Sequence, residues 1–175
     1  IADNAAKDDL KSEAYFIQGI SLLNMNDLAG AQTALKKTTE MTKSGWRWAE
    51  ARFNLALILY KQGEYKKCET EIQNFVKARP NYDYWIARSY ILLSDVYVAL
   101  GDNFQAKSTL KSIIDHYSGD DDIKATAQQK YDAIVNGENQ QNQQRMMQQQ
   151  QTVPGEGTEE GEGTEERNQD GGNKQ

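Results

Sequence analysis

The side chains able to make or break bonds are few, and they do not converge. Cys68 is the only cysteine in the chain and stands beside Glu69 and Glu71, where a neighbouring base could activate a thiol. It also shares a helical spacing with Ile72, Phe75 and Val76. Cys68 therefore reads as a small core residue and not as a nucleophile. His116 is the only histidine, placed in the last turn of an apolar-periodic segment where a cationic ring suits the helix dipole. One imidazole with no second base or ligand near it in the sequence offers neither acid–base nor metal chemistry. Asp120, Asp121 and Asp122 superficially resemble a calcium loop, but the alternating oxygen ligands and the distal glutamate are missing. They suit the N-cap of a following helix better. No GxxxxGK, HExxH or GxSxG pattern occurs. The expectation is a protein without catalytic residues, cofactor or metal. A lone cysteine forms no intrachain disulfide and leaves the redox compartment unread.

The elements that would position any functional residue are clearest in AEARFNLALILYKQGEYKKCETEIQNFVKARPNY, residues 49–82. Phe53, Ala56, Leu57 and Tyr60 recur at helical spacing in its first half, and Cys68, Ile72, Phe75 and Val76 do so in its second. Gly63, free to take positive φ, marks the turn between them. Pro80 ends the second helix by lacking an N–H and by restricting Arg79 before it. One such hairpin is too small to bury its own apolar faces, so it must be repeated. Counting from Ala49, Ala56 holds position 8, Gly63 position 15, Cys68 position 20 and Ile72 position 24. Counting from Ser12 places Gly19, Asn26, Ala31 and Leu35 in those slots, and counting from Ala87 places Ser94, Gly101, Ala106 and Leu110 there. Position 11 is Leu22, Leu59 and Tyr97 in turn.

Small residues at 8 and 20, large apolar ones at 7, 11 and 24, and proline at 32 resemble the tetratricopeptide repeat (TPR), over Ser12 to Ser118. Position 4, often Trp, is Tyr15, Arg52 and Tyr90, and position 27, often Ala, is Thr38, Phe75 and Ile113. Only the middle unit carries its proline. The unit starts are 37 and 38 residues apart, longer than the usual period of about 34, which implies longer helices and wider turns. The resemblance implies an all-α, TPR-like α-solenoid: a repeat domain over residues 1–136, with units near 12–45, 49–82 and 87–118 and a capping helix within 121–136. A disordered tail over 137–175 is expected to follow.

In chain order, Asp8 and Asp9 are expected to cap the first helix, and Asp27 the second. Ser44 and Gly45 stop the second helix, and Trp46 and Trp48 then cover the open end of the inter-repeat core. A last helix from Ile123 to Val135 carries Ile123, Ala127, Tyr131 and Ile134 on one dry stripe, with Lys124, Gln128, Lys130 and Asp132 facing away. One wet side and one dry side suit a helix that seals a stack of repeats. Nothing comparable closes the first hairpin, so further TPR repeats are expected upstream. Asn136 and Gly137 are expected to end the last helix. Glutamine-rich residues 140–151 could weakly prolong it, and GEGTEE then occurs twice, at 155–160 and 161–166. Without large side chains that stretch cannot offset its ordering entropy by burial. It is expected to solvate the protein or to lure a basic partner weakly.

Charge and hydropathy narrow the partner. Up to Asn136 there are 17 basic and 18 acidic residues, against 3 and 8 beyond it. A near-neutral body argues against nucleic acid, since phosphate binding needs clustered positive charge. No apolar run approaches the roughly 20 residues needed to cross a bilayer. The partner expected is a protein or peptide. By resemblance, the first helix of each repeat lines an inner groove. The candidate groove residues carried over are Phe16 and Ile20, then Glu50, Phe53, Leu57, Tyr60 and Lys61, then Arg88, Ile91 and Asp95. Such a channel would accept a partner helix or an extended peptide. The family's chaperone-type clamp for a terminal carboxylate is not expected: its slots hold Phe16, Ile20, Asn54, Arg88 and Leu92, and two matches of five supply no convergent positive charge. The alternative is a structural end-cap of a large envelope assembly or secretion subunit, contacting others by its convex face or tail. YDYWIARSYILLSDVYVALGDNFQAKSTLKSIIDHY also resembles large bacterial TPR proteins of the cell envelope, which leans the expected setting toward periplasm or outer membrane.

Overall fold

The computed structural model describes residues 2–78 and 80–152. Seven helices fill them: α1 (Ala2–Asn24), α2 (Leu28–Met41), α3 (Trp46–Lys61), α4 (Tyr65–Lys77), α5 (Asp83–Ala99), α6 (Asn103–His116) and α7 (Ile123–Thr152). No strand occurs among the described residues, and none of these helices is long and apolar enough to cross a membrane. The chain divides into a unit spanning residues 1–138 and a second spanning 139–175. In the second, the described residues 139–149 are helical and exposed. The GEGTEE pair lies outside the described residues, as does Arg79.

Within residues 1–138 the three hairpins turn in the same way, for the same reason. Asn26, Gly63 and Gly101 all have positive φ, at 61°, 74° and 79°, the left-handed conformation that closes a helix C-terminus. In each turn that residue donates its N–H three residues back (Asn26 to Leu23, Gly63 to Tyr60, Gly101 to Val98). The next residue reaches five back (Asp27 to Leu22, Glu64 to Leu59, Asp102 to Tyr97). This pair of bonds is the Schellman closure, which satisfies carbonyls the helix end would otherwise leave bare. The next helix starts at once: the Asp27 carboxylate accepts from the Gly30 N–H at 2.9 Å and the Asp102 carboxylate from the Gln105 N–H at 3.0 Å. Glu64, one methylene longer, makes no such cap.

The small positions set the helix spacing. Gly19, Ala56 and Ser94 are buried on the first helix of each pair, and Ala31, Cys68 and Ala106 on the second. Leu35, Ile72 and Leu110 fill the space between. Successive hairpins share cores. Ala51, Leu55 and Ile58 of α3 cluster with Phe16, Ala31 and Leu35, while Leu92, Leu93 and Val96 of α5 cluster with Phe53, Ala56, Cys68 and Ile72. Ile123 and Ala127 of α7 join Ala87, Ile91, Leu110 and Ile113. Arg52, in a slot often held by Trp, meets Glu71 at 3.0 Å across the second hairpin, an ion contact without hydrogen-bond alignment.

Three expectations are corrected. Asp8 and Asp9 do not cap α1, which already runs from Ala2; Asp9 instead holds Arg47 of α3 at 2.9 Å. Asn136 and Gly137 do not end α7, which continues to Thr152. Glu138, just past the glycine, is gripped by Lys107 of α6 at 2.6 Å, which anchors the backbone where a left-handed exit would have turned away. Lys130 does not face away: its ammonium reaches Asp95 of α5 at 2.7 Å. At the other end of α7, Asp121 accepts from the Ile123 N–H at 3.0 Å, so this acidic run does cap its helix.

Candidate interaction surface

The candidate groove residues fall into three settings. Phe16, Phe53 and Ile91 are more than nine-tenths buried and serve the core that supports the face. Ile20, Glu50, Leu57, Tyr60, Arg88 and Asp95 are half-buried, and Lys61 is exposed. Five of the ten (Phe53, Leu57, Arg88, Ile91 and Asp95) line one cleft of about 230 Å³ between α3, α5 and the start of α7. Its floor is apolar, made by Phe53, Leu57, Ile91 and Leu92; its rim carries Arg88 and Asp95 from α5 and Asp122 and Lys130 from the α7 end. Phe16 and Ile20 belong to the core shared by α1, α2 and α3 instead. Tyr60 packs at a tilt against Tyr65 with ring centroids 5.6 Å apart, and burial, with Asp95 nearby, raises its pKa.

Arg88 is the best-defined cation on this face. It donates to the Tyr84 hydroxyl at 2.8 Å, and its guanidinium lies 5.1 Å from the centroid of Phe53, 5.6 Å from Tyr84 and 5.7 Å from Trp85. Trp85 packs on Phe53 at 5.4 Å, so the rings fix the plane of the guanidinium while leaving donors for another acceptor. Glu50 lies within its field: burial raises the Glu50 pKa, and Arg88 partly offsets that. The cation is thus oriented but not consumed by an ion pair at contact distance.

Sequence reading missed Tyr84, Trp85 and the α7 contribution. An aromatic pair immediately before the third unit was a signal for the first two, since rings at a helix start can reach back over the preceding hairpin. Trp46 does likewise, edge-on to Phe16 of α1 at 5.5 Å and 54% exposed, whereas Trp48 packs within its own hairpin on Phe75 of α4 at 5.7 Å. A larger cleft of about 580 Å³ lies along another face of α5, between Ile86 and Tyr90 on one side and Ser112, His116 and Tyr117 on the other. It offers hydroxyls and an imidazole but no convergent charge.

Family models described as tetratricopeptide repeat match residues 49–82 and residues 83–120. No curated protein matches the chain.

Proposed function

Because the chain is a tetratricopeptide repeat protein, of a family that generally mediates protein–protein contact without catalysis, we propose that its α3–α5 face receives a peptide or helix from a protein partner. The observation that carries this reading is the cleft of about 230 Å³ with its apolar floor and its oriented Arg88. That volume is below the roughly 300–1,000 Å³ of small-molecule pockets and suits a single large apolar side chain. A partner residue anchored on Leu57 and Ile91 would bring its neighbours to the rim, where Arg88 favours a carboxylate or a backbone carbonyl. The α1–α3 part of the same face, with Ile20 and Glu50, would extend the contact along an elongated ligand.

The test is selection of peptides from a random library on the full chain, followed by affinity measurement on Leu57→Glu and Arg88→Ala. Both side chains are half-buried at the cleft, whereas Phe53 and Ile91 are core and would report on folding. Selected peptides should share an apolar anchor and lose at least about tenfold in affinity to Leu57→Glu, as expected for a hot-spot residue. Peptides that bind both variants as they bind the parent would refute the reading. A structural end-cap role is the second reading, supported by the burial of Ile123 and Ala127 against hairpin three. Deleting residues 139–175 tests the tail form of that second reading: partner binding lost with the tail favours it, whereas groove binding should survive the deletion.

A further inference from the structure

The third hairpin keeps open a space that charged side chains occupy in the first two. Counted from Ser12, Ala49 and Ala87, positions 4, 23 and 26 are Tyr15, Ala34 and Lys37 in the first hairpin, Arg52, Glu71 and Asn74 in the second, and Tyr90, Thr109 and Ser112 in the third. In the first, the Lys37 ammonium lies over the Tyr15 ring, 4.7 Å from its centroid, and a cleft of about 360 Å³ remains. In the second, Glu71 meets Arg52 at 3.0 Å. In the third, Tyr90 shares its cleft with two short hydroxyl side chains, Thr109 and Ser112, and about 580 Å³ stays open. That volume lies inside the range of roughly 300–1,000 Å³ in which small molecules bind.

The lining of this cleft specifies what can enter it. Tyr90, Ile86, Ala87 and Ile113 supply an apolar floor. Ser108, Thr109 and Ser112 of α6, with Ser118 just beyond it, supply a wall of hydroxyls, none of them engaged with a partner among the described residues. Two acceptors complete the rim. The Asp83 carboxylate, at the start of α5, lies in no ion pair among the described residues and lines the cleft. His116 holds its Nδ1 3.0 Å from the Ser112 carbonyl; a carbonyl can only accept, so in the neutral ring Nδ1 carries the proton and Nε2 is left as an acceptor. No lysine or arginine is among the described lining residues. An anion would therefore meet a carboxylate and no cation. The fitting ligand is uncharged, rich in O–H donors and apolar on one face.

We propose that the α5–α6 cleft binds a neutral saccharide. A pyranose ring has one face of C–H groups and an edge of hydroxyls. The C–H face suits the Tyr90 ring, whose negative π-face attracts the weakly positive hydrogens and takes here the place that the Lys37 ammonium takes over Tyr15. Two neighbouring sugar hydroxyls can donate to the two oxygens of Asp83, a charge-assisted contact stronger than a neutral one. The remaining hydroxyls meet Ser108, Thr109, Ser112 and Ser118, which rotate to donate or to accept, and Nε2 of His116. This inference is independent of the peptide-binding reading, since it uses no residue of the α3–α5 cleft.

The test titrates the full chain with cellobiose, lactose and N,N′-diacetylchitobiose and follows the backbone amide shifts. At least one of these sugars should give saturable shifts confined to residues 83–90 and 108–119. Ser112→Lys places an ammonium in the slot that Lys37 holds in the first hairpin. Ser112 is exposed, so this variant should keep the parent's unfolding midpoint and lose the binding. Asp83→Asn keeps the shape and removes the charge; it should weaken binding about tenfold, the scale of one charge-assisted hydrogen bond. No saturable shift with any of the three sugars, or binding unchanged in both variants, would overturn the proposal. So would choline or inorganic phosphate shifting the same amides at lower concentration than the sugars, because the site would then select charge.

Discussion

Gly19 and Gly137 are both helical glycines, and the same substitution should move stability in opposite directions at the two sites. Replacing a mid-helix glycine with alanine ordinarily gains about 1 kcal/mol, because alanine has less backbone freedom to lose. At Gly137 no atom lies within 4 Å of where a Cβ would stand, so Gly137→Ala should deliver that gain to α7. At Gly19 the added carbon would stand 2.6 Å from Leu35 Cγ, 2.7 Å from its Cδ2 and 3.3 Å from its backbone N. Leu35 is fully buried and the crowded atom is its branch point, so rotation about χ2 cannot clear the clash and a χ1 change would have to find room in a filled core. Either α1 moves away from α2 or Leu35 leaves its well, an overpacking cost of about 1–3 kcal/mol. The helix gain offsets part of this, leaving a net loss of up to about 2 kcal/mol. Equilibrium denaturation measures the Gly19 variant; hydrogen exchange along α7 measures Gly137→Ala, where the gain is local. Leu35→Val is the internal control. Alone it costs about 1 kcal/mol, but combined with Gly19→Ala it should recover part of the loss, a coupling that independent sites do not show. If Gly19→Ala stabilises like an ordinary helical substitution, or adds to Leu35→Val without coupling, then the glycine does not set the α1–α2 spacing.

Two other perturbations follow from buried polar atoms. Ser12 is buried with a hydroxyl that has no hydrogen-bond partner, and the equivalent residues of the other repeats are Ala49 and Ala87; Ser12→Ala should therefore raise stability by about 1 kcal/mol, and a loss on denaturation would show that the hydroxyl is satisfied. The Cys68 thiol is pushed up to about 12 by burial, with Glu71 and Glu69 adding and a backbone hydrogen bond from Tyr60 opposing. A thiol reagent at pH 8 should thus label native Cys68 only as fast as the fold opens, and labelling at the rate of a free thiol would refute its burial. Because the folded pKa lies above the ordinary value of 9.0, the contribution of this group to stability is present below pH 9 and is lost as pH climbs toward about 12.

What could be read from residue order alone, and what could not, divides along a physical line. Asn26, Gly63 and Gly101 were legible as turns because backbone conformation is a local property, and left-handed φ excludes most side chains. Gly19, Ala56 and Ser94 were legible because close helix approach excludes large ones. Asp9, Lys130 and Gly137 were misread: Asp9 because α1 begins earlier, at Ala2, and in all three places a charged pair between distant elements takes part. Asp9, inside α1, has its carboxylate on Arg47 of α3. Gly137 looks like a stop until Lys107 holds Glu138 beyond it. Lys130 sits on the wet flank of its helix by periodicity, yet Asp95 draws it onto α5. Hydropathy patterns sort residues by whether water suits them; they carry no record of which charge answers which across 31 to 38 residues. The individual pairs are half-exposed, and such pairs contribute only about 0–1 kcal/mol each, so they do not make the fold. They decide details of it: where α7 continues, and which hairpin faces can accept which helix.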